Sequence, residues 1–409
     1  MLVKKVIIII YGMLLSAFIG IIASTFLVIE TWTSDLVWQQ SRAIQIGAVV
    51  LGGVGLYWLV RRWSLMPQSA ETALANLKQH RFGDYRLVFA NLLITLIILT
   101  CGAGVGPEAA LLSAVITLSS WQADKIRYLY FNYSAFQRLS WLTKFQRLAA
   151  FSTGLQTYDG HRAIKTPRFL RQKRLLYVMF GLNGLVAFAI LMRHTDQPAF
   201  ITKLGNSTWH ATDWQVVLPL IMVAVIYGNL WRLGGNWFQR LVARYSIPLS
   251  VKILCGLIGI LVISRFFPEL LFSGQHEIHL LVGTWQQATP LFLSMMAVVK
   301  LLFLNWCLQT HWRGGDIFPV LFASLTQGLA ISLLLPNYDH IVVMAVVATA
   351  MAGSLLDQPL IAGMMVALFC PLNVSTIVIV TVLVLMGIKR GIRQVKPLWQ
   401  RLTGTQTDD

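Results

Sequence analysis

Long runs without a charge dominate this chain and leave it few ways to fold. Apolar segments, many of roughly 18–25 residues, recur near 5–28, 43–60, 87–120, 175–192, 214–231, 248–267, 289–308, 317–335, 340–356, 359–370 and 373–388. Such lengths suit helices crossing the hydrocarbon core of a bilayer. There the backbone must satisfy its own polar groups, which admits only helices and closed barrels. Only 12% of the 409 residues are charged, against about 25% in a soluble domain. The expectation is an all-α polytopic protein of the cell membrane.

Several segments are too short for an upright span or are interrupted by Gly and Pro, as in GAGVGPEAALL, HWRGGDIFPVLFAS and AGSLLDQPLIAG. Broken helices at membrane depth persist only where protein buries them or they line a cavity, a pattern of transporters and channels rather than of simple anchors. Two of the breaks follow one plan, glycines and then a proline opening an apolar helix: 102–112 and 313–324. They lie about half a chain apart, as two structural repeats would place them.

The net charge of +17 would point to nucleic acid in a soluble protein. Here it reads as the positive-inside bias of cytoplasmic loops, and no nucleic-acid-binding fold accompanies it. Between 122 and 174 there are 11 Lys or Arg against two acids, Asp124 and Asp159. This stretch is expected to be a cytoplasmic insertion carrying an amphipathic helix pair at the membrane surface, within 131–151. The basic start reads as an uncleaved first span, because the apolar run continues to about Val28 without a convincing cleavage site. The expected organisation is one membrane domain over 1–400 and a short cytoplasmic tail over 401–409. The four cysteines lie far apart in apolar segments and read as small buried hydrophobes. No metal site or cofactor is expected.

From Leu87 to Trp121 the only Asp, Glu, Lys or Arg is Glu108, behind Gly102, Gly104, Gly106 and Pro107. A carboxylate at membrane depth costs about 2.5–3.5 kcal/mol on insertion scales. Glycines let backbone amides approach an anion, and a helix N-terminus favours negative charge. The stretch therefore builds an anion site and fills it with a tethered anion, unless Glu108 merely caps its own helix. Gly314 and Gly315 repeat the device, with the amides of Ile317 and Phe318 as candidate anion donors and Asp316 as an exposed loop carboxylate. Ser64, three residues before Pro67, supplies a hydroxyl that donates one hydrogen bond without carrying charge; its plainer role is N-cap of the following helix.

These elements resemble signatures of the CLC family of chloride channels and proton–chloride antiporters. Gly106-Pro107-Glu108-Ala109-Ala110 is similar to Gly-Arg-Glu-Gly-Pro, Trp63-Ser64-Leu65-Met66-Pro67 to Gly-Ser-Gly-Ile-Pro, and Gly315-Asp316-Ile317-Phe318-Pro319 to Gly-x-Phe-x-Pro. LFSGQHEI at 271–278 and AGSLLDQPLIAG at 352–363 resemble parts of that family's second half, and Lys396-Pro397-Leu398-Trp399 falls where the family has a tyrosine. The chain is identified as a divergent member. The resemblance implies an inverted repeat of broken, tilted helices and a homodimer with one anion pathway per subunit. It further implies chloride or a related small anion as substrate, bound by Ser64, Ile317, Phe318 and Trp399, with Glu108 as the gate.

Four departures shape the expectation. Trp399 offers an indole N–H where a phenol stood, Ile317 stands for Phe, and Trp63 and Leu65 flank Ser64 in place of glycines. The segment 174–193, where antiporters of this family carry an inward-facing glutamate, has no acid. A channel-type pathway is therefore expected, with a proton-coupled chloride or fluoride antiporter as the alternative; Glu277 or Asp357 would then carry protons. A membrane-embedded enzyme is disfavoured because the histidines are scattered and HEIH at 276–279 is not the zinc-protease spacing. A non-conducting regulatory subunit is the remaining reading.

Overall fold

In a computed structural model the described residues are 2–64, 66–80, 83–159, 166–195 and 203–403. They form sixteen α-helices joined by short 3₁₀ turns. Seven helical segments among them are long and apolar enough to cross a membrane. Two compact units account for the packing: Met1–Cys101 with Pro107–Gln197, and Gly102–Gly106 with Pro198–Asp409.

The first unit contains α1 (Leu2–Trp38), α2 (Arg42–Arg62), α3 (Ala70–His80), α4 (Val88–Thr100), α5 (Glu108–Phe131), α6 (Tyr133–Gln137), α7 (Trp141–Ala149) and α8 (Pro167–Arg193). At 37 residues, α1 is about 55 Å long, well beyond the roughly 30 Å of a hydrocarbon core. It crosses α8 where side chains vanish: a Cβ on Gly20 would lie 2.1 Å from the carbonyl oxygen of Gly184. Small residues at such a crossing let two apolar helices approach without a hydrophobic driving force between them. Asn183 of α8 adds hydrogen bonds to Met13 O (2.8 Å) and Ser16 Oγ (2.9 Å) of α1.

The basic stretch that begins at 122 opens as a continuation of α5, which runs on to Phe131 and buries Gln122, Asp124 and Lys125. The buried ammonium of Lys125 donates hydrogen bonds to carbonyls of the segment that folds back over it, which keeps this polar turn of helix inside the unit. The helix pair within 131–151 is α6 and α7.

The second unit contains α9 (Trp214–Arg244), α10 (Leu249–Phe266), α11 (Gln275–Leu281), α12 (Pro290–Gln309), α13 (Ile317–Leu333), α14 (His340–Leu355), α15 (Pro359–Phe369) and α16 (Ser375–Thr403). Its centre is α14, whose residues from Ile341 to Ser354 are all buried. A helix apolar all round must be surrounded, and α9, α13, α15 and α16 surround it. Asp339 caps it, accepting hydrogen bonds from the amides of Ile341 (2.9 Å) and Val342 (3.0 Å). Prolines in the first turn of α12 and α15 start those helices where a missing N–H does no harm.

Candidate functional site

The stretch Gly102–Gly106 leaves α4 and packs with the second unit. There Gly106 and Gly315 form an isolated antiparallel bridge. Each amide donates to the other's carbonyl at 2.7 Å. The two Gly-rich breaks, half a chain apart in sequence, are thus fastened to one another by their backbones. Glycine is required at this contact: a Cβ on Gly314 would stand 2.5 Å from Val105 Cγ2, and one on Gly104 would stand 2.5 Å from the Phe303 ring. The Gly104 amide also donates to Cys307 Sγ at 3.4 Å. Cys307 is therefore more than a small buried hydrophobe, since it satisfies a break amide.

Two residues beyond each bridge glycine a helix begins. In the second unit α13 starts at Ile317, with Phe318 buried behind it and Asp316 as the exposed N-cap residue, whose side chain does not cap the helix. The amides of Ile317 and Phe318 lie in the first turn, where no carbonyl of the same helix stands ahead of them. In the first unit α5 starts at Glu108, whose side chain is buried. Pro107 is the N-cap rather than the first helical residue, and its carbonyl accepts from Leu111 N–H at 3.0 Å.

Ser64 lies in the turn after α2 and is exposed, unlike Glu108. Its plainer role is overturned: the helix that follows starts at Ala70, and Ser69 is its cap, accepting from the Thr72 amide at 3.2 Å. The local reason is the length of the turn, which carries the chain past Pro67 before α3 begins. Trp399 belongs to α16, and its side chain lies outside the described residues. The structure therefore joins Gly104, Gly106, Gly314 and Gly315 directly, with Ile317 and Phe318 next in chain, and leaves Ser64 in an exposed turn.

Sequence reasoning missed Lys300. It is fully buried in α12, a candidate span, and donates to Leu270 O (2.9 Å), Leu271 O (3.4 Å) and Phe272 O (2.7 Å). Its ammonium also lies 5.7 Å from the Phe322 ring centroid of α13. The turn it holds donates from the Phe272 amide to Gly102 O at 3.4 Å. Lys300, Phe303 and Cys307 form one face of α12, at helical spacing, against the turn and the first break. A lone lysine in an apolar run was the available signal. Glu277 of α11 is close enough for its charge to act on Lys300. Asp357 pairs with Arg232 (3.1 Å) and Lys389 (2.8 Å). Burial works to raise its pKa, but the two cations outweigh that and hold the carboxyl below its ordinary value.

The profile of the family described as "Voltage gated chloride channel" matches residues 169–389, just over half of the chain. No curated protein sequence matches significantly. Among solved structures, a CLC-type fluoride/proton antiporter is 14% identical with a TM-score of 0.64, covering 92% of this chain and 94% of its own. A slow cyanobacterial chloride/proton antiporter is 15% identical with a TM-score of 0.64, covering 92% and 93%. A eukaryotic CLC transporter is 12% identical with a TM-score of 0.57, covering 94% and 72%. The all-helical fold with its broken helices is the fold of these proteins.

Proposed function

Because the chain belongs to the voltage-gated chloride channel family, we propose that it carries chloride or a related small anion across the membrane through a channel-type pathway gated by Glu108. The observation that carries this reading is the bridge between Gly106 and Gly315, which pairs two breaks that each stand two residues ahead of a helix. The N–H groups of a helix's first turn point outward from its start, and with the helix dipole they favour an anion there. A carboxylate tethered at one of them competes with the substrate: ionised, it holds the anion's place, and protonated or swung aside, it yields it. In this reading the amides of Ile317 and Phe318, the Ser64 hydroxyl and the Trp399 indole bind the anion, and two copies form a dimer with one pathway each.

The absence of any acid from α8 supports passive flow. A proton-coupled antiporter is the second reading, favoured by two structural neighbours that are antiporters. Asp357 suits proton carriage poorly, because two cations keep it ionised.

The test is anion efflux from liposomes holding the purified protein, with chloride and with fluoride, with and without a pH gradient. The expected result is efflux indifferent to the pH gradient and altered at least ten-fold, roughly, by Glu108→Gln, the scale set by losing a charged competitor. Uphill proton movement driven by an anion gradient would establish the antiporter instead. Absence of flux for either anion would sink both readings and leave the regulatory subunit.

A further inference from the structure

Within the first unit α7 has two unlike faces. One is fastened inward. Tyr11 of α1 donates to Leu148 O at 3.0 Å, and the buried ammonium of Lys125 in α5 donates to the carbonyls of Arg147 (2.9 Å), Ala150 (2.5 Å) and Thr153 (2.6 Å). Phe151, just past the helix, stacks on Trp121 of α5 with ring centroids 5.0 Å apart. The other face is bare: Trp141, Leu142 and Phe145 are 86%, 69% and 71% exposed. Lys144 sits among them with its ammonium 5.3 Å from the Trp141 ring centroid, and Arg138 is exposed just before the helix.

We propose that this face of α7 docks on the acidic headgroups of the bilayer in which the chain's own spans sit, and that Lys125 passes the occupancy of that surface to α5. Three observations choose a lipid surface over a protein partner. Both α6 and α7 touch the N-terminal part of α1, where Lys4 lies 5.7 Å from the Tyr133 ring centroid and Tyr11 donates to Leu148 O at 3.0 Å. That part belongs to a helix longer than the hydrocarbon core, so it ends at the headgroup level. An aromatic body with lysine and arginine at its rim is the composition that partitions into that layer. The 122–174 stretch, with 11 cations to two acids, complements acidic lipid and no neutral surface. The coupling follows from one helix carrying both groups: α5 begins at Glu108 and holds Lys125 near its other end.

Two readouts test this, one of which does not depend on transport. An environment-sensitive fluorophore is placed on Phe145→Cys in a Cys255→Ala background, the other three cysteines being buried. The full-length protein is reconstituted into vesicles of phosphatidylcholine alone or with added phosphatidylglycerol. The expected result is a blue-shifted, brominated-lipid-quenchable probe, more so with phosphatidylglycerol, and a lipid dependence lost in Arg138→Glu/Lys144→Glu. Each reversed cation should weaken docking by about five-fold or more. A probe that stays in water in both vesicles, or is equally shielded in detergent because protein covers it, would overturn the docking. The second readout, resting on the anion-transport reading, is efflux in the same vesicles. Phosphatidylglycerol should change the wild-type rate and leave Lys125→Met unmoved while its probe remains in lipid. A docked probe with lipid-independent wild-type flux would overturn the coupling, and absence of all flux would count against the transport reading alone.

Discussion

Three lysines of this protein do one job in three surroundings. Lys300 is wholly buried in a candidate span and collects three carbonyls of the 270–272 turn. Lys125 is buried at the end of α5 and collects carbonyls from the end of α7 and the turn after it. Lys389 is 29% exposed at its side chain and binds both the backbone oxygen (2.5 Å) and the carboxylate of Asp357. In each case an ammonium donates to carbonyls at a helix end or in the turn beyond it. What differs is the alternative open to those carbonyls when the cation goes, and water access decides it.

The largest effect should follow Lys300→Met. It strands the carbonyls of Leu270, Leu271 and Phe272 where water cannot replace the donor, at about 3–5 kcal/mol. Thermal unfolding in detergent measures it, with Lys300→Arg recovering part of the loss. A Lys300→Met protein as stable as wild type would break the comparison at its strongest point. Next comes Lys125→Met, at about 1–3 kcal/mol, because the carbonyls it leaves lie in a loop that water reaches. Hydrogen exchange should quicken over 141–153 while the second unit stays protected.

Smallest is Asp357→Asn, within about 1 kcal/mol, since the ion pairs are half in solvent. The sign with pH sharpens it. The folded carboxyl titrates below its ordinary 3.8, so its contribution is complete above about pH 4 and fades as pH falls through the lowered value. Wild-type and Asp357→Asn stabilities should therefore differ near neutrality and converge in acid. A difference that grows in acid would reverse the assignment.

Much of this architecture was legible because hydropathy is a local property. The apolar runs marked α1, α2, α8, α9, α10, α12 and α16, and Gly with Pro marked the breaks ahead of α5 and α13. The end of α5 was not legible: charge at Asp124 and Lys125 reads as solvent until a loop folds back to satisfy it. Ser64 misled for a related reason. A serine near a helix start has the chemistry of a cap, but the geometry of the turn gives that place to Ser69.

By itself the sequence determined that this chain spans a bilayer with helices, that two of them start after glycine-rich breaks, and that Glu108 stands alone at one such start. Each rests on residues within a few turns of one another. Only the tertiary structure decided that Gly106 pairs with Gly315, that Phe303 and Cys307 back the first break, and that Lys300 holds the 270–272 turn. These partners are far apart in sequence, and a backbone amide or carbonyl looks the same at every position. Which of them meet is settled by packing, because a buried backbone donor or acceptor left without a partner costs as much as a lost hydrogen bond.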